Sequence, residues 1–120
     1  MNLKDSFVTL GCIDLNRSVA FYQALLEQPP SVNLVDRYAE FQLPGLRLAL
    51  FVPSGAHRGE FSGASSPMSL CLEVADLDAA IAHLEAIGHS PAGPVVTASH
   101  GREIYAYDPQ GNRLILHESR

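Results

Sequence analysis

The stretch FVTLGCIDL, residues 7–15, returns 62 positions later as SLCLEVADL, residues 69–77. Val8 falls on Leu70, Leu10 on Leu72, Cys12 on Val74, Asp14 on Asp76 and Leu15 on Leu77. The correspondence continues with Val19 on Ile81, Tyr22 on Leu84 and Leu25 on Ile87. Chance alternation yields a few such matches. Two Asp-Leu pairs at one offset point to an internal repeat, and a repeat constrains the architecture before any other feature does.

Each copy reads as a strand followed by a helix. Residues 7–12 and 69–74 alternate apolar and polar side chains, the period of a half-buried strand. Asp14 and Asp76 are short acceptors suited to helix entry. Beyond them the apolar spacing becomes three to four, with Val19, Tyr22, Leu25 and Leu26 in one stripe and Ile81, Leu84 and Ile87 in the other. Pro29-Pro30 are expected to end the first helix and Gly88 the second. Strands follow at 38–43 and 46–52 around Pro44-Gly45, and at 103–107 and 113–118 around DPQGN, residues 108–112. A short strand is expected before each hairpin, near 32–35 and 94–97. The unit is β-α-β-β-β, written twice, with module one at about 5–53, a Gly-, Ser- and Ala-rich linker at about 54–67 and module two at about 68–119.

The 120 residues suit one domain, and 47% hydrophobic residues suffice for a packed core. No apolar run approaches the ~18 residues of a membrane span, and Met1 to Ser6 hold no signal-peptide core. A net charge of −5 argues against nucleic acid or an anionic membrane as partner. Two cysteines, Cys12 and Cys71, form neither a CxxC pair nor a disulfide framework and read as small buried hydrophobes in strands. A cytoplasmic protein is the expectation.

With FVTLGCIDLNRSVAFY, LEVADLDAAIAHLEAIG and YAYDPQGNRLIL as its text, the chain resembles the vicinal oxygen chelate superfamily. That group includes glyoxalase I, extradiol dioxygenases, fosfomycin-resistance enzymes and bleomycin-binding proteins. The resemblance covers nearly the whole chain; the DP-x-GN turn before a final strand is a fairly specific late signature, and the paired copies rather than any single motif carry the assignment. It implies an α+β fold of two βαβββ modules forming a curled mixed sheet around a cleft, and a homodimer whose cleft is built within one chain or across two.

The resemblance also implies a divalent metal, held by a histidine at the start of a first strand and a glutamate on the last strand of each module. Those positions fall on Phe7, Ser69, Ala49 and Ile115. A phenyl ring, a methyl and a sec-butyl group offer no lone pairs, and a neutral serine hydroxyl is a weak ligand alone. The expectation is a cleft with no metal and no cofactor. A site rebuilt from His117, Glu73 and a further donor is the alternative. His57, His83, His89 and His100 show no metal-ligand spacing.

If the helices cover one face of each sheet, then Val8, Leu10, Leu48, Leu50, Leu70, Leu72, Val74, Leu114 and Leu116 pack beneath them. The opposite face carries Phe7, Thr9, Arg47, Ala49, Phe51, Ser69, Cys71, Glu73, Tyr105, Tyr107, Ile115 and His117. All but Ala49 form the candidate ligand-binding set, a mix of aromatic area and a few directional polar groups. Strand 38–43 presents to this face either Tyr38, Glu40 and Gln42 or Ala39, Phe41 and Leu43. Cys71 with His117 as base is a nucleophile pair in principle, but nothing nearby in sequence activates the thiol. The expected function is metal-independent binding of a small, partly aromatic or apolar organic molecule, as in the bleomycin-binding branch. The alternatives are a glyoxalase-like lyase or isomerase or a dioxygenase with displaced metal ligands, and a non-catalytic dimeric regulatory module. The sequence names neither the ligand nor a reaction.

Overall fold

The computed structural model describes residues 1–62 and 66–120. The chain forms two compact units, Met1–Ser62 and Gly63–Arg120. The first contains β1 (Val8–Gly11), α1 (Leu15–Leu26), β2 (Val32–Leu34), β3 (Tyr38–Leu43), β4 (Leu46–Phe51) and a short 3-10 helix, Gly55–Phe61. The second contains β5 (Leu70–Glu73), α2 (Leu77–Ala86), β6 (Val96–Ala98), β7 (Gly101–Tyr107) and β8 (Arg113–Ser119). Each unit is an open four-stranded mixed sheet, ordered β1-β4-β3-β2 in one and β5-β8-β7-β6 in the other. β1 runs parallel to β4 and β5 parallel to β8, while the remaining pairs are antiparallel. This α+β arrangement is the βαβββ repeat expected from the sequence.

The helix starts follow from the repeated aspartates. Asp14 Oδ1 accepts the Arg17 N–H at 3.2 Å, and Asp76 Oδ1 accepts the Ala79 N–H at 3.0 Å. Each satisfies one orphan donor of the first turn. Glu118 Oε1 takes a further one in α2, the Leu77 N–H at 2.8 Å. The stops differ. At the end of α2 Gly88 adopts φ 84°, its N–H donates to the Glu85 carbonyl, and the His89 N–H donates to the Leu84 carbonyl. That paired closure is the reason for a glycine there. In α1 the helix ends at Leu26, before the two prolines, because Glu27 takes the left-handed conformation at φ 54°. Pro29-Pro30 forbid any restart rather than setting the end.

The ladder settles the faces. Ala39 pairs with Leu50 and Phe41 with Leu48, so these four share one side and all are buried. Phe41 packs against Tyr22 of α1, ring centroids 6.2 Å apart. Tyr38, Glu40 and Gln42 therefore share the other side with Phe51, Ala49 and Arg47. In the second unit Ile104, Ala106, Leu114, Leu116 and Leu84 form the buried layer. Val8, Leu10, Leu70 and Leu72 are half-buried.

Part of the expected linker is ordered structure. Phe61 of the 3-10 helix meets Phe51 edge to face at 5.1 Å and lies over Gly11, where an added Cβ would come within 2.6 Å of the Phe61 Cβ. Residues 63–65 of that segment lie outside the described residues. Of the cysteines, Cys12 is buried as expected but Cys71 is exposed, on the face of β5 opposite Leu70 and Leu72.

Candidate functional site

The candidate residues of the first unit share one sheet face. Thr9 pairs with Ala49, which places Phe7 beside Arg47 at the same end of the strands. The Arg47 guanidinium lies 4.1 Å over the Phe7 ring. It also reaches Asp5 at 2.6 Å and Glu40 at 3.1 Å, and Glu40 accepts the Tyr38 hydroxyl at 3.1 Å. The arginine beside Asp5 holds that carboxyl below its ordinary range, while burial and then Glu40 push the Tyr38 phenol up. Ala49 is fully buried and Phe51 half-buried.

The second unit repeats this plan with a different occupant. Arg113, two residues past its turn glycine as Arg47 is past Gly45, donates from Nε to Ser69 Oγ at 2.6 Å. Its guanidinium lies 5.8 Å from the Tyr105 ring centroid. The strand is fixed by the turn before it. Asp108 is buried and accepts from the Gln110 and Asn112 N–H groups and from Asn112 Nδ2, all at 2.9 Å, while Gly111 takes φ 89°. Tyr105 and Tyr107 stand 48% and 49% exposed on this face.

At its far end the face becomes polar. Glu73 pairs with His117 and His117 with Glu103, so the three form a row across β5, β8 and β7. His117 Nδ1 contacts Glu73 Oε1 at 2.7 Å. Ser119 donates to Glu73 Oε2 from its backbone N–H at 3.0 Å and its hydroxyl at 3.1 Å. The His117 contact first, then Ser119, holds the Glu73 carboxyl below its ordinary range. An ionised carboxylate can only accept, so Nδ1 of His117 carries the proton and Nε2 faces His100 Nδ1, 2.8 Å away. The imidazole centroids are 5.0 Å apart with planes at 27°. With facing nitrogens at 2.8 Å, that separation means the rings meet edge to edge. One ligand atom from each of His100, Glu103 and His117 lies within 4.8 Å of the others.

The sequence reading omitted His100, Glu103 and Arg113 from the site. Period-two alternation from Tyr105 would have found Glu103, and from Ile115 would have found Arg113. His100 is in the β6–β7 turn and has no such signal. Cys71 is on this face, but its thiol is pushed up by burial and by Glu73 and Glu103. That is the opposite of thiolate activation.

The family model described as the glyoxalase/bleomycin resistance protein/dioxygenase superfamily matches residues 6–116. The chain belongs to this superfamily. A glyoxalase/bleomycin resistance protein from Catenulispora acidiphila is 24% identical, with 96% of each chain covered and a TM-score of 0.69. The fosfomycin resistance protein FosX from Listeria monocytogenes is 21% identical over 100% of this chain and 96% of its own, TM-score 0.78. The bleomycin resistance determinant encoded on transposon Tn5 is 19% identical over 98% of this chain and 99% of its own, TM-score 0.73. No curated protein matches the chain by sequence. In this member of the superfamily the four positions expected to carry metal ligands do not fit a divalent ion. Ala49 and Ile115 lack donors. Phe7 is covered by the Arg47 guanidinium, and Ser69 is bonded to that of Arg113. In the second unit the Arg113 guanidinium, with no carboxylate partner among the described residues, repels a second cation at Ser69, whereas in the first unit Arg47 is already paired with Asp5 and Glu40.

Proposed function

We propose that this superfamily member binds a small, partly aromatic organic molecule without a metal at the family's ligand positions. The reading is supported by one observation, made twice: an arginine stands against the first-strand position of each unit, Arg47 on Phe7 and Arg113 on Ser69. Exposed Tyr105 and Tyr107 supply flat area beside Arg113. Among the described residues Arg113 has no carboxylate partner, so an anionic group on the ligand suits it. The rest of the set, Thr9, Phe51, Cys71, Glu73, Ile115 and His117, lines the same two sheet faces. The protein acts as a homodimer in the cytoplasm on this reading, with Cys12 and Cys71 as free thiols. No helix among the described residues is long and apolar enough to cross a membrane.

The test is calorimetric titration of chelator-treated protein with metal-free bleomycin and with a panel of aromatic carboxylic acids. Saturable binding in EDTA is expected, weakened tenfold or more by Tyr105→Ala or Arg113→Ala. Binding that appears only after Mn2+ or Zn2+ is added favours a lyase or dioxygenase instead. No binding in either condition, by a protein of dimeric mass, favours a module that works through its subunit contacts.

A further inference from the structure

We infer that the second unit carries a divalent-cation site of its own, built by His100 Nδ1, His117 Nε2 and a Glu103 carboxylate oxygen, with Glu73 behind His117. None of these residues occupies a position where the family resemblance places a metal ligand. The inference goes beyond the ligand-binding reading, does not rest on it, and revises the expectation of no metal.

Three observations converge. First, the donor set is assembled from separate elements. The ladder brings Glu103 beside His117, and the β6–β7 turn brings His100 to the same point, with the three ligand atoms within 4.8 Å. Second, Glu73 fixes the tautomer. By accepting from Nδ1 at 2.7 Å it leaves the Nε2 lone pair of His117 aimed at His100. A carboxylate on the far nitrogen orients a ligating histidine and raises its basicity, and Ser119 anchors that carboxylate through two further bonds. Third, the two imidazole nitrogens face each other at 2.8 Å, a spacing at which both point toward one shared position. A single proton can occupy that position, and so can a metal ion.

The local charge favours the ion. Glu73 and Glu103 flank His117, and among the described residues neither forms an ion pair with lysine or arginine. Two imidazoles and a carboxylate make a nitrogen-rich set of borderline softness, suited to Zn2+, Co2+ or Ni2+ rather than Mg2+ or Ca2+. Around a tetrahedral zinc the two nitrogens would part to roughly 3.3 Å, a shift of about half an ångström. The exposed His100 side chain has room to make it. The backbone is held close for the purpose. Gly101 adopts φ 145°, and an added Cβ would lie 2.1 Å from the Glu118 carbonyl oxygen. The turn is thereby pressed against the end of β8, and the bound ion would tie the two together.

The inner positions differ between the repeats, which argues against a packing role shared by both. The places of Glu73, His117 and Glu103 hold Gly11, Phe51 and Tyr38 in the first unit, by the same ladder register.

The experiment is titration of chelator-stripped, full-length protein with Zn2+ by calorimetry and with Co2+ by visible absorption, alongside thermal melting. Wild type is expected to take up one equivalent of each ion, to melt higher with Zn2+, and to revert with EDTA. His117→Ala and His100→Ala should each weaken Zn2+ binding a hundredfold or more, and Glu103→Gln at least tenfold. Glu73→Gln should weaken it roughly 10- to 100-fold without removing a ligand. His57→Ala should leave it unchanged. Circular dichroism shows whether each variant is folded, and the conservative Glu73→Gln and Glu103→Gln give a reading even if a histidine variant is not. Uptake of less than half an equivalent overturns the inference, as does uptake that survives both His100→Ala and His117→Ala. Because the bleomycin titration is run in EDTA, either result leaves the ligand-binding reading to its own test.

Discussion

His117 and Leu116 are neighbours with opposite surroundings. Leu116 is 2% exposed in the buried layer of the second unit, whereas the His117 side chain lies on the other face against Glu73 and His100. Leu116→Ala is expected to cost about 2–5 kcal/mol, the range for truncating a packed leucine. His117→Ala is expected to cost about 1 kcal/mol or less, as for a residue outside the core. Denaturant unfolding of the two variants side by side checks the order. A more damaging His117→Ala would mean that the strand faces are reversed. Glu73 sets a pH dependence of definite sign. Its folded-state pKa is depressed, by His117 first and then Ser119. Its contribution to stability is therefore full above the unfolded value of about 4.3 and is lost as pH falls through the lower folded value. Unfolding followed from pH 7 to pH 3 should show wild type losing its advantage over Glu73→Gln in that acid window. A gap that stays constant across it counts against the pairing.

Among the elements, the β6–β7 hairpin is tightly constrained at its turn. Gly101 combines a left-handed φ of 145° with a backbone contact of 2.1 Å to any added Cβ. Gly101→Ala should therefore destabilise by about 1–3 kcal/mol or more, the scale of a strained backbone site, and should separate His100 from His117. Thermal melting reads the first effect. The His100 and His117 imidazole resonances in NMR read the second, and unchanged spectra would contradict it. The strands and the two α-helices were legible in the sequence, because each was signalled locally: Asp14 and Asp76 by cap chemistry, Gly88 and Gly111 by their need for positive φ, the sheet faces by alternation; the 3-10 helix Gly55–Phe61 was not. The face of β3 was left open, although Ala39, Phe41 and Leu43 are all apolar and alternate with Tyr38, Glu40 and Gln42. Pairing of Ala39 with Leu50 and Phe41 with Leu48 puts the apolar set on the buried side. The early end of α1 was hidden because Glu27 adopts a conformation for which glutamate gives no sign. His100 escaped because it meets His117 only through the β7–β8 pairing, a contact between residues that sequence periodicity does not link.

At the scale of the whole molecule, each sheet ends in a strand that is paired on one side only within its own unit. β1 and β5 are edge strands in their own units, and Phe7 beside β1 is 44% exposed. Exposed edges and apolar side chains of this kind are commonly covered by a second copy. Light scattering at tens of micromolar is expected to give the mass of a homodimer, with contacts through the first strands around Phe7 and Ser69 or through the helical faces. A strictly monomeric mass would contradict this. The repeat has a consequence for how the molecule tolerates change. Positions 11, 38 and 51 hold a glycine, a tyrosine and a phenylalanine, while their equivalents at 73, 103 and 117 hold two glutamates and a histidine. The same backbone frame thus places shape demands on one copy and charge demands on the other. At Gly11 any side chain is too large, since Phe61 fills the space. At Glu73 size matters less than the presence of an anion. Equivalent sites in a saturation library would then show unrelated preference profiles, so a consensus averaged over the two halves would describe neither of them.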